Sequence, residues 1–212
     1  MKKYKNRKCP ICDSSGNKSL YVQPFAGGLT HYIVVCNNCH FTFVNNTPDQ
    51  KYYDKYYEKM SKYELERDQV LHKMYRDLIS ENFSKSTSIL DIGCSTGHLL
   101  YLLKKEGFGK ITGIDPSPVC KKIAQEKFGV RIQTASISSF KSSKKFDLII
   151  LSMILEHLRD VKNSLRHVDK FLKKDGYMFI TVPDAGNFYN NLEEPFGEFS
   201  VEHINFYSIP SL

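Results

Sequence analysis

From residue 86 onward the chain alternates short apolar runs with helical ones, and that rhythm restricts the fold more than any other feature. The spacing predicts strands over 88–92, 110–114, 130–135, 146–152 and 177–182, with helices over about 97–106, 118–128 and 160–173. Strands joined through helices in this way pair in parallel, with the helices on the faces of the sheet. Around the 118–128 helix, Ser117 stands at the cap, Pro118 in the first turn and Gly129 past the end, while Cys120, Ile123, Ala124 and Phe128 share one face. Cys120 therefore reads as a core residue. Ligands of such sheets sit beyond the carboxyl ends of the strands, an edge that collects the 93–97 loop, Asp115, the Ser136 region and residues 152–157.

The loop in "SILDIGCSTGHLL" carries glycines at 93 and 97. A dinucleotide fingerprint anchored at Gly93 also needs glycines at 95 and 98, where Ser95 and His98 stand, so nicotinamide cofactors are disfavoured. A phosphate-cradling P-loop needs Lys and then Ser or Thr after its last glycine, and Gly97 is followed by His98 and Leu99. What remains is an acid before the loop, Asp91, two glycines that let backbone approach a ligand closely, and a second acid, Asp115, 24 residues after the first and at the end of the next strand. A carboxylate there can accept both hydroxyls of a ribose.

The N-terminal region is built differently. Of six cysteines, Cys9 and Cys12 form "CPIC" and Cys36 and Cys39 form "CNNC", with alternating "HYIVV" before and "FTFV" after the second pair. Two C-x-x-C turns present four thiolates to one ion and close a tetrahedral sulfur site of the structural zinc type. A redox motif needs one such pair rather than two. His40 adjoins Cys39, but four sulfurs already complete the shell, so the reading is a zinc ribbon with a structural ion. Residues 1–48 hold six Lys/Arg against one acid, most of the net charge of +7, and read as a solubilising basic tail. A nucleic-acid groove would place its basic stripe on the working domain instead, so nucleic acid is a disfavoured partner.

Residues 49–83 lack Gly and Pro and predict one or two helices, in which Tyr52, Tyr53, Tyr56 and Tyr57 recur at i, i+4 spacing. They pack a helix onto a neighbour or line a pocket. The expected organisation is a zinc ribbon over 1–47, a helical linker or cap over 48–85, a cofactor-binding core over 86–183 and an acceptor-side loop with the start of a C-terminal helix over 184–212. No run approaches the roughly 18 apolar residues of a membrane helix, and Cys9 follows the basic N-terminus without an apolar signal core. The expectation is a cytoplasmic protein with no membrane partner.

"LDIGCSTG", followed by "GIDPSP" and "FDLIILSMILEHLRD", resembles the class I S-adenosylmethionine-dependent methyltransferases over about residues 86–212. The resemblance implies an α/β fold, a doubly wound, mostly parallel, Rossmann-like sheet, here lacking the family's last strands. It also implies that Asp91, Gly93, Cys94, Ser95 and Gly97 surround the methionine part of the cofactor, that Asp115 holds the ribose, that Ser136 and Ile137 lie by the adenine, and that Ser152 borders the site. Ser95 stands where the family often has a glycine and Ser136 where it often has an acid. The order of cysteine pairs, Tyr-rich helices, core and "VEHINFYS" is similar to zinc-ribbon methyltransferases related to sugar C-methyltransferases, in which the histidine of the "EH" segment is the base. That residue is His203 here, beside Glu202, with Ser200 where the family often has tyrosine.

Methyl transfer from a sulfonium is an in-line displacement that needs positioning and an electron-rich acceptor, which a base supplies. An ordinary imidazole changes charge near neutral pH, and Glu202 can orient His203 or raise its pKa; the plainer role for the pair is a hydrogen-bonded hinge. Glu156 and His157, in "LEHL", either start a helix or contact the acceptor. The implied function is methylation of a small molecule, a sugar or nucleotide-sugar. The alternatives are an RNA methyltransferase that uses the ribbon as anchor and a noncatalytic cofactor-binding module. The family continues with a helix and two strands where this chain reaches Leu212, which leaves a fifth strand at an exposed edge. The expectation is a shortened form of a longer protein or a homodimer that covers the edge.

Overall fold

The structure is a computed structural model that describes residues 6–25, 28–59, 69–190 and 200–212. Its elements run β1 (Asn17–Pro24), β2 (Thr30–Cys36), β3 (Thr42–Val44), α1 (Gln50–Lys59), α2 (Gln69–Asn82), β4 (Ser88–Ile92), α3 (His98–Lys105), β5 (Lys110–Asp115), α4 (Pro118–Phe128), β6 (Gln133–Thr134), β7 (Phe146–Ser152), α5 (Val161–Asp169), β8 (Leu172–Thr181) and β9 (Asn205–Phe206). By compactness the chain divides into residues 1–53, 153–165 and 181–212 on the one hand, and 54–152 and 166–180 on the other. The first of these units is assembled from three stretches of the chain. The cause is local: β9 pairs with β3, Thr42 opposite Phe206 and Phe43 opposite Asn205, so "EHINFYS" completes the N-terminal sheet.

The second unit holds the five-stranded sheet, in the order β6-β5-β4-β7-β8, with β4 parallel to β5 and β7 and β5 parallel to β6. Ile89, Leu148 and Ile150 of the central strands bury against Leu99 and Leu103 of α3, Tyr75 and Ile79 of α2, and Phe108. A second cluster joins Cys94, Leu100, Cys120, Ala124, Val130 and Ile132. Strands β4 and β7 and helix α4 have the bounds their periodicity predicts, and Gly129 ends α4 at φ 60°, with its N–H donated to Gln125 O. Ser117 occupies the N-cap position but makes no side-chain cap hydrogen bond.

Three boundaries differ. The 130–135 strand shrinks to two residues, because Val130 and Ile132 turn inward to the α4 cluster. The 160–173 helix ends at Asp169, since the Phe171 carbonyl accepts the Phe146 N–H at 2.8 Å and draws the chain into the sheet, so that β8 begins at 172 instead of 177. Residues 60–68, expected to be helical, lie outside the described residues. Among the described residues β8 ends the sheet, as a sheet stopping at its fifth strand must.

Gly113 sits opposite Asp91 in the register. A Cβ there would lie 2.3 Å from Leu100 Cδ1 and 2.8 Å from Cys94 Sγ, so only glycine lets the loop after β4 pack down. Gly113→Ala is expected to destabilise the protein by about 1–3 kcal/mol through overpacking. A thermal melt reads this, and an unchanged midpoint would refute the close approach.

In the first unit the four-stranded sheet runs β1-β2-β3-β9. Its core includes Ile33, Val34, Phe41, Phe43, Ile204, Phe206 and Tyr207. Among the described residues Arg7 alone departs from the reading of the N-terminal positive charge as a solvated tail, for it is buried, whereas Lys8 and Lys18 are exposed. Its Nε donates to Val44 O at 2.8 Å, Nη1 to Arg159 O at 3.1 Å, and Nη2 to Asn205 Oδ1 at 2.8 Å and to Ile204 O. One guanidinium therefore stitches three distant stretches together, and burial brings its pKa down to about 9.

Candidate functional site

The loop after β4 is the first candidate. Gly93, Ser95 and Gly97 alternate in the left-handed region, at φ 73°, 49° and 77°. Ser95 carries this conformation without being glycine, a strain that marks a backbone fixed by its surroundings. The N–H groups of Gly93 and Cys94 both donate to Ile114 O, at 2.8 and 3.0 Å, that of Gly97 to Cys94 O at 2.9 Å, and that of Ser95 to Asp115 Oδ2 at 3.0 Å. These donors are spent on the protein rather than offered to a phosphate, which agrees with the failed dinucleotide and P-loop patterns.

Asp115 ends β5 and also accepts the Ser117 N–H on Oδ1 at 2.9 Å. The Cys120 thiol is a third donor to this carboxylate, and with about four lone-pair directions on its two oxygens some acceptor capacity remains. Burial raises its pKa in spite of these bonds. Asp91 is buried at the end of β4, and burial, then the charge of Asp115, push it up to about 7. The Cys94 side chain enters the core cluster, where burial lifts the thiol well above its ordinary value, so only its backbone borders the loop. Ser136 lies beyond β6, its Oγ 2.9 Å from Ser138 Oγ, with Ile137 buried beside it; Ser152 closes β7. The carboxyl edge of the second unit thus brings together Asp91, Gly93, Cys94, Ser95, Gly97, Asp115, Ser136, Ile137 and Ser152.

In the first unit the Sγ atoms of Cys9, Cys12, Cys36 and Cys39 lie within 4.8 Å of one another, with Cys9–Cys39 and Cys12–Cys36 at 3.5 Å. Zinc–sulfur bonds of about 2.3 Å place tetrahedral sulfurs about 3.8 Å apart, so the cluster has the size of a zinc site and is compatible with a zinc ribbon. The two turns repeat one geometry: Asp13 and His40, each following a second cysteine, are left-handed at φ 61° and 59° and donate N–H to Cys9 O and Cys36 O. Asn38 and the Ser14 N–H bring the Cys12 pKa down to about 6, whereas burial pushes Cys9 up to about 12. An all-thiolate set here calls for a cation.

The same unit assembles Glu156, His157 and His203, whose ligating atoms also lie within 4.8 Å of one another. The His157 and His203 ring centroids are 4.9 Å apart. His157 Nδ1 is 3.1 Å from Glu202 O, and because a carbonyl only accepts, the ring proton sits on Nδ1. Burial, then His203, drive the His157 pKa down to about 3. Glu202 thus meets the pair through its backbone carbonyl, and the carboxylate within 4.8 Å of both rings is Glu156, 1% exposed. Ser200 Oγ accepts the Glu202 and His203 N–H groups and shapes the turn. Tyr207, unremarked in the sequence reading, is buried with its hydroxyl unpaired among the described residues. Its burial was concealed because β9 is two residues long and shows no alternation.

A family profile described as a methyltransferase domain matches residues 63–212. The ubiquinone biosynthesis O-methyltransferase of Pelagibacter ubique is 35% identical over 103 residues, 46% of this chain and 42% of that protein. Of solved structures, an S-adenosylmethionine-dependent methyltransferase from Clostridium acetobutylicum is 25% identical and superposes with a TM-score of 0.52 over 67% of this chain and 61% of its own. The plantazolicin methyltransferase BpumL, solved in complex with SAH, is 22% identical with a TM-score of 0.52, over 69% of this chain and 58% of its own, and shares the fold. The chain spans about half the length of the curated relatives it matches. With the profile covering residues 63–212 and the sheet order and loop geometry in agreement, the chain belongs to the methyltransferase domain family.

Proposed function

We propose that the chain is an S-adenosylmethionine-dependent methyltransferase of a small-molecule acceptor, carrying a structural zinc ion on Cys9, Cys12, Cys36 and Cys39. The carrying observation is the loop after β4: its N–H groups serve the protein, and Asp115 keeps acceptor capacity at the end of β5. That suits a nucleoside ligand with no phosphate at the loop. The cofactor supplies an electrophilic methyl group on a sulfonium sulfur. Gly93 and Gly97 allow close backbone approach, Asp115 accepts the ribose hydroxyls, Ile137 provides an apolar wall beside Ser136 for the adenine, and Ser152 borders the methyl-bearing end.

The acceptor class we favour is a sugar or nucleotide-sugar, methylated on carbon or oxygen. The reading rests on the four-cysteine module together with the "EH" segment. His203 removes the acceptor proton, His157 stands against it as a neutral ring, and Glu202 fixes that ring through its carbonyl.

Calorimetric titration with S-adenosylhomocysteine, with NAD as control, tests the assignment. S-adenosylhomocysteine alone is expected to bind. Asp115→Ala should weaken it tenfold or more by losing charge-assisted hydrogen bonds, with Asp115→Asn separating loss of charge from loss of shape. His203→Ala should keep that affinity and slow turnover. Binding of NAD, or equal affinity in wild type and Asp115→Ala, would overturn the reading.

A further inference from the structure

The residues on either side of His203 are both fastened to the turn over residues 155–158. The Glu202 carbonyl lies 3.1 Å from His157 Nδ1, and the Ile204 N–H donates to Glu156 O at 2.8 Å. Two contacts thus bracket the histidine, whose half-buried ring stands with its centroid 4.9 Å from that of His157. Ser200 Oγ accepts the His203 N–H at 3.1 Å and fixes the approach of the chain.

Behind the two rings lies a buried clamp. Asn205 is 1% exposed, and its amide donates to Leu155 O and Leu158 O at 2.7 Å each while its Oδ1 accepts from Arg7 Nη2 at 2.8 Å. A guanidinium has no acceptor, so the amide can meet it only with its oxygen, and both amide protons are then turned to the two carbonyls. The same Nη2 donates to Ile204 O, Nε to Val44 O at 2.8 Å and Nη1 to Arg159 O at 3.1 Å. The Val44 N–H also donates to Ile204 O, at 2.9 Å. Arg7 and Asn205 therefore join the residues that follow His203 to both ends of the turn that carries His157. A buried network whose members all find partners fixes a single arrangement and is costly to break. The hydrogen bonds of this one end on main-chain carbonyls and on each other, so it acts on the imidazoles through where their backbone stands.

We propose that Arg7 and Asn205 are positioning residues for the methyl transfer: they hold the segment that bears His203 against the turn that bears His157, and so fix how the base meets the acceptor. The proposal rests on the reading of His203 as the base. A displacement of about 1 Å at a reacting group can cost on the order of a hundredfold in rate, and a base carried between a loop and a two-residue strand needs an anchor outside itself. Arg7 stands two residues before Cys9, so the same clamp ties the base segment to the four-cysteine module.

Two mild variants test it. Arg7→Lys keeps the charge but loses the planar fork that reaches Asn205 Oδ1, Ile204 O and Val44 O together. Asn205→Asp keeps an acceptor for Arg7 but, as a carboxylate, has no protons for Leu155 O and Leu158 O. NMR of the imidazole nitrogens and ring protons of the zinc-loaded full chain reads the two histidines without any acceptor. In wild type His157 is expected as a single Nδ1–H tautomer with a through-space signal to the His203 ring. Each variant should mix the His157 tautomers and weaken that signal, with zinc content and S-adenosylhomocysteine affinity as in wild type. With a sugar nucleotide that the wild type methylates as probe, turnover should fall tenfold or more at unchanged KM for S-adenosylmethionine. A merely structural role would lower the melting temperature and leave the imidazole signals of the folded protein as they are. That result, or loss of zinc or of S-adenosylhomocysteine binding in both variants, would overturn the proposal. His203→Ala turning over at the wild-type rate would overturn the base reading, and with it the catalytic meaning of the clamp, even where the imidazole signals shift as expected.

Discussion

Chelating the zinc proposed for the four-cysteine cluster, or replacing Cys36 by Ser, is expected to unfold the four-stranded sheet. The sheet has little else to rest on. Strand β1 is largely solvent-exposed, with Leu20, Tyr21 and Val22 facing water, and β3 and β9 are three and two residues long. The two cysteine turns fix both ends of the core: Cys9 lies two residues from Arg7, whose N–H donates to Asn45 O at 2.8 Å, and Cys36 ends β2. Structural zinc contributes about 10–16 kcal/mol to the folding of small finger domains, as much as the whole stability of an ordinary domain, about 5–15 kcal/mol. Hydrogen exchange followed peptide by peptide reads the effect. Protection over residues 30–44 and 203–207 should fall by orders of magnitude on chelation. Undiminished protection in Cys36→Ser would mean that the hydrophobic core and Arg7 suffice, and that the sulfurs hold no structural ion.

Legibility in the sequence tracked how local the cause was. Helix α4 announced itself because it buries a periodic face within its own length, which is why Cys120 fell in the core, and strands β4 and β7 because each is a short, nearly continuous buried apolar run. The cysteine pairs were legible because ligand spacing is a local property. Strand β1 was missed because both of its faces carry apolar side chains to solvent, which erases alternation. Strand β9 was missed because two residues encode no period, and its placement depends on Phe43, more than 160 positions away in the chain. Arg7 looked like part of a solvated basic tail, since nothing near it in sequence reveals that four distant acceptors await it. The candidate site divides likewise. Gly93, Gly97 and Asp115 were readable from spacing, whereas the left-handed Ser95, the close approach at Gly113 and the unpaired Tyr207 hydroxyl arise only from packing.

The two acids of the loop lead to the second large effect, in which Asp91→Asn stabilises the ligand-free protein at alkaline pH. In the unfolded chain Asp91 ionises near its ordinary value of 3.8, but in the folded protein burial, reinforced by Asp115, lifts it to about 7. Between those values the folded state binds the extra proton, so stability from this group is full below about pH 4 and is lost as pH rises through 7, after which the loss levels off. A tenfold change in proton affinity is worth about 1.4 kcal/mol, which makes the loss several kcal/mol. His157 and His31, held neutral by burial with pKa values of about 3 and 4, act oppositely by gaining stability as pH rises towards their ordinary value. The wild-type curve alone therefore mixes the two trends, and the difference between wild type and Asp91→Asn isolates the acid. At about 2–4 °C per kcal/mol for a chain of this size, the variant should melt close to wild type at pH 4.5 and several degrees higher at pH 8. A gap that stays constant across that range would mean that Asp91 is ionised in the folded protein throughout. If the gap opens as expected, the wild-type residue carries a cost in the empty protein that a cationic ligand at the loop relieves, and S-adenosylmethionine should then gain affinity relative to S-adenosylhomocysteine as pH rises through 7, a gain that Asp91→Asn abolishes.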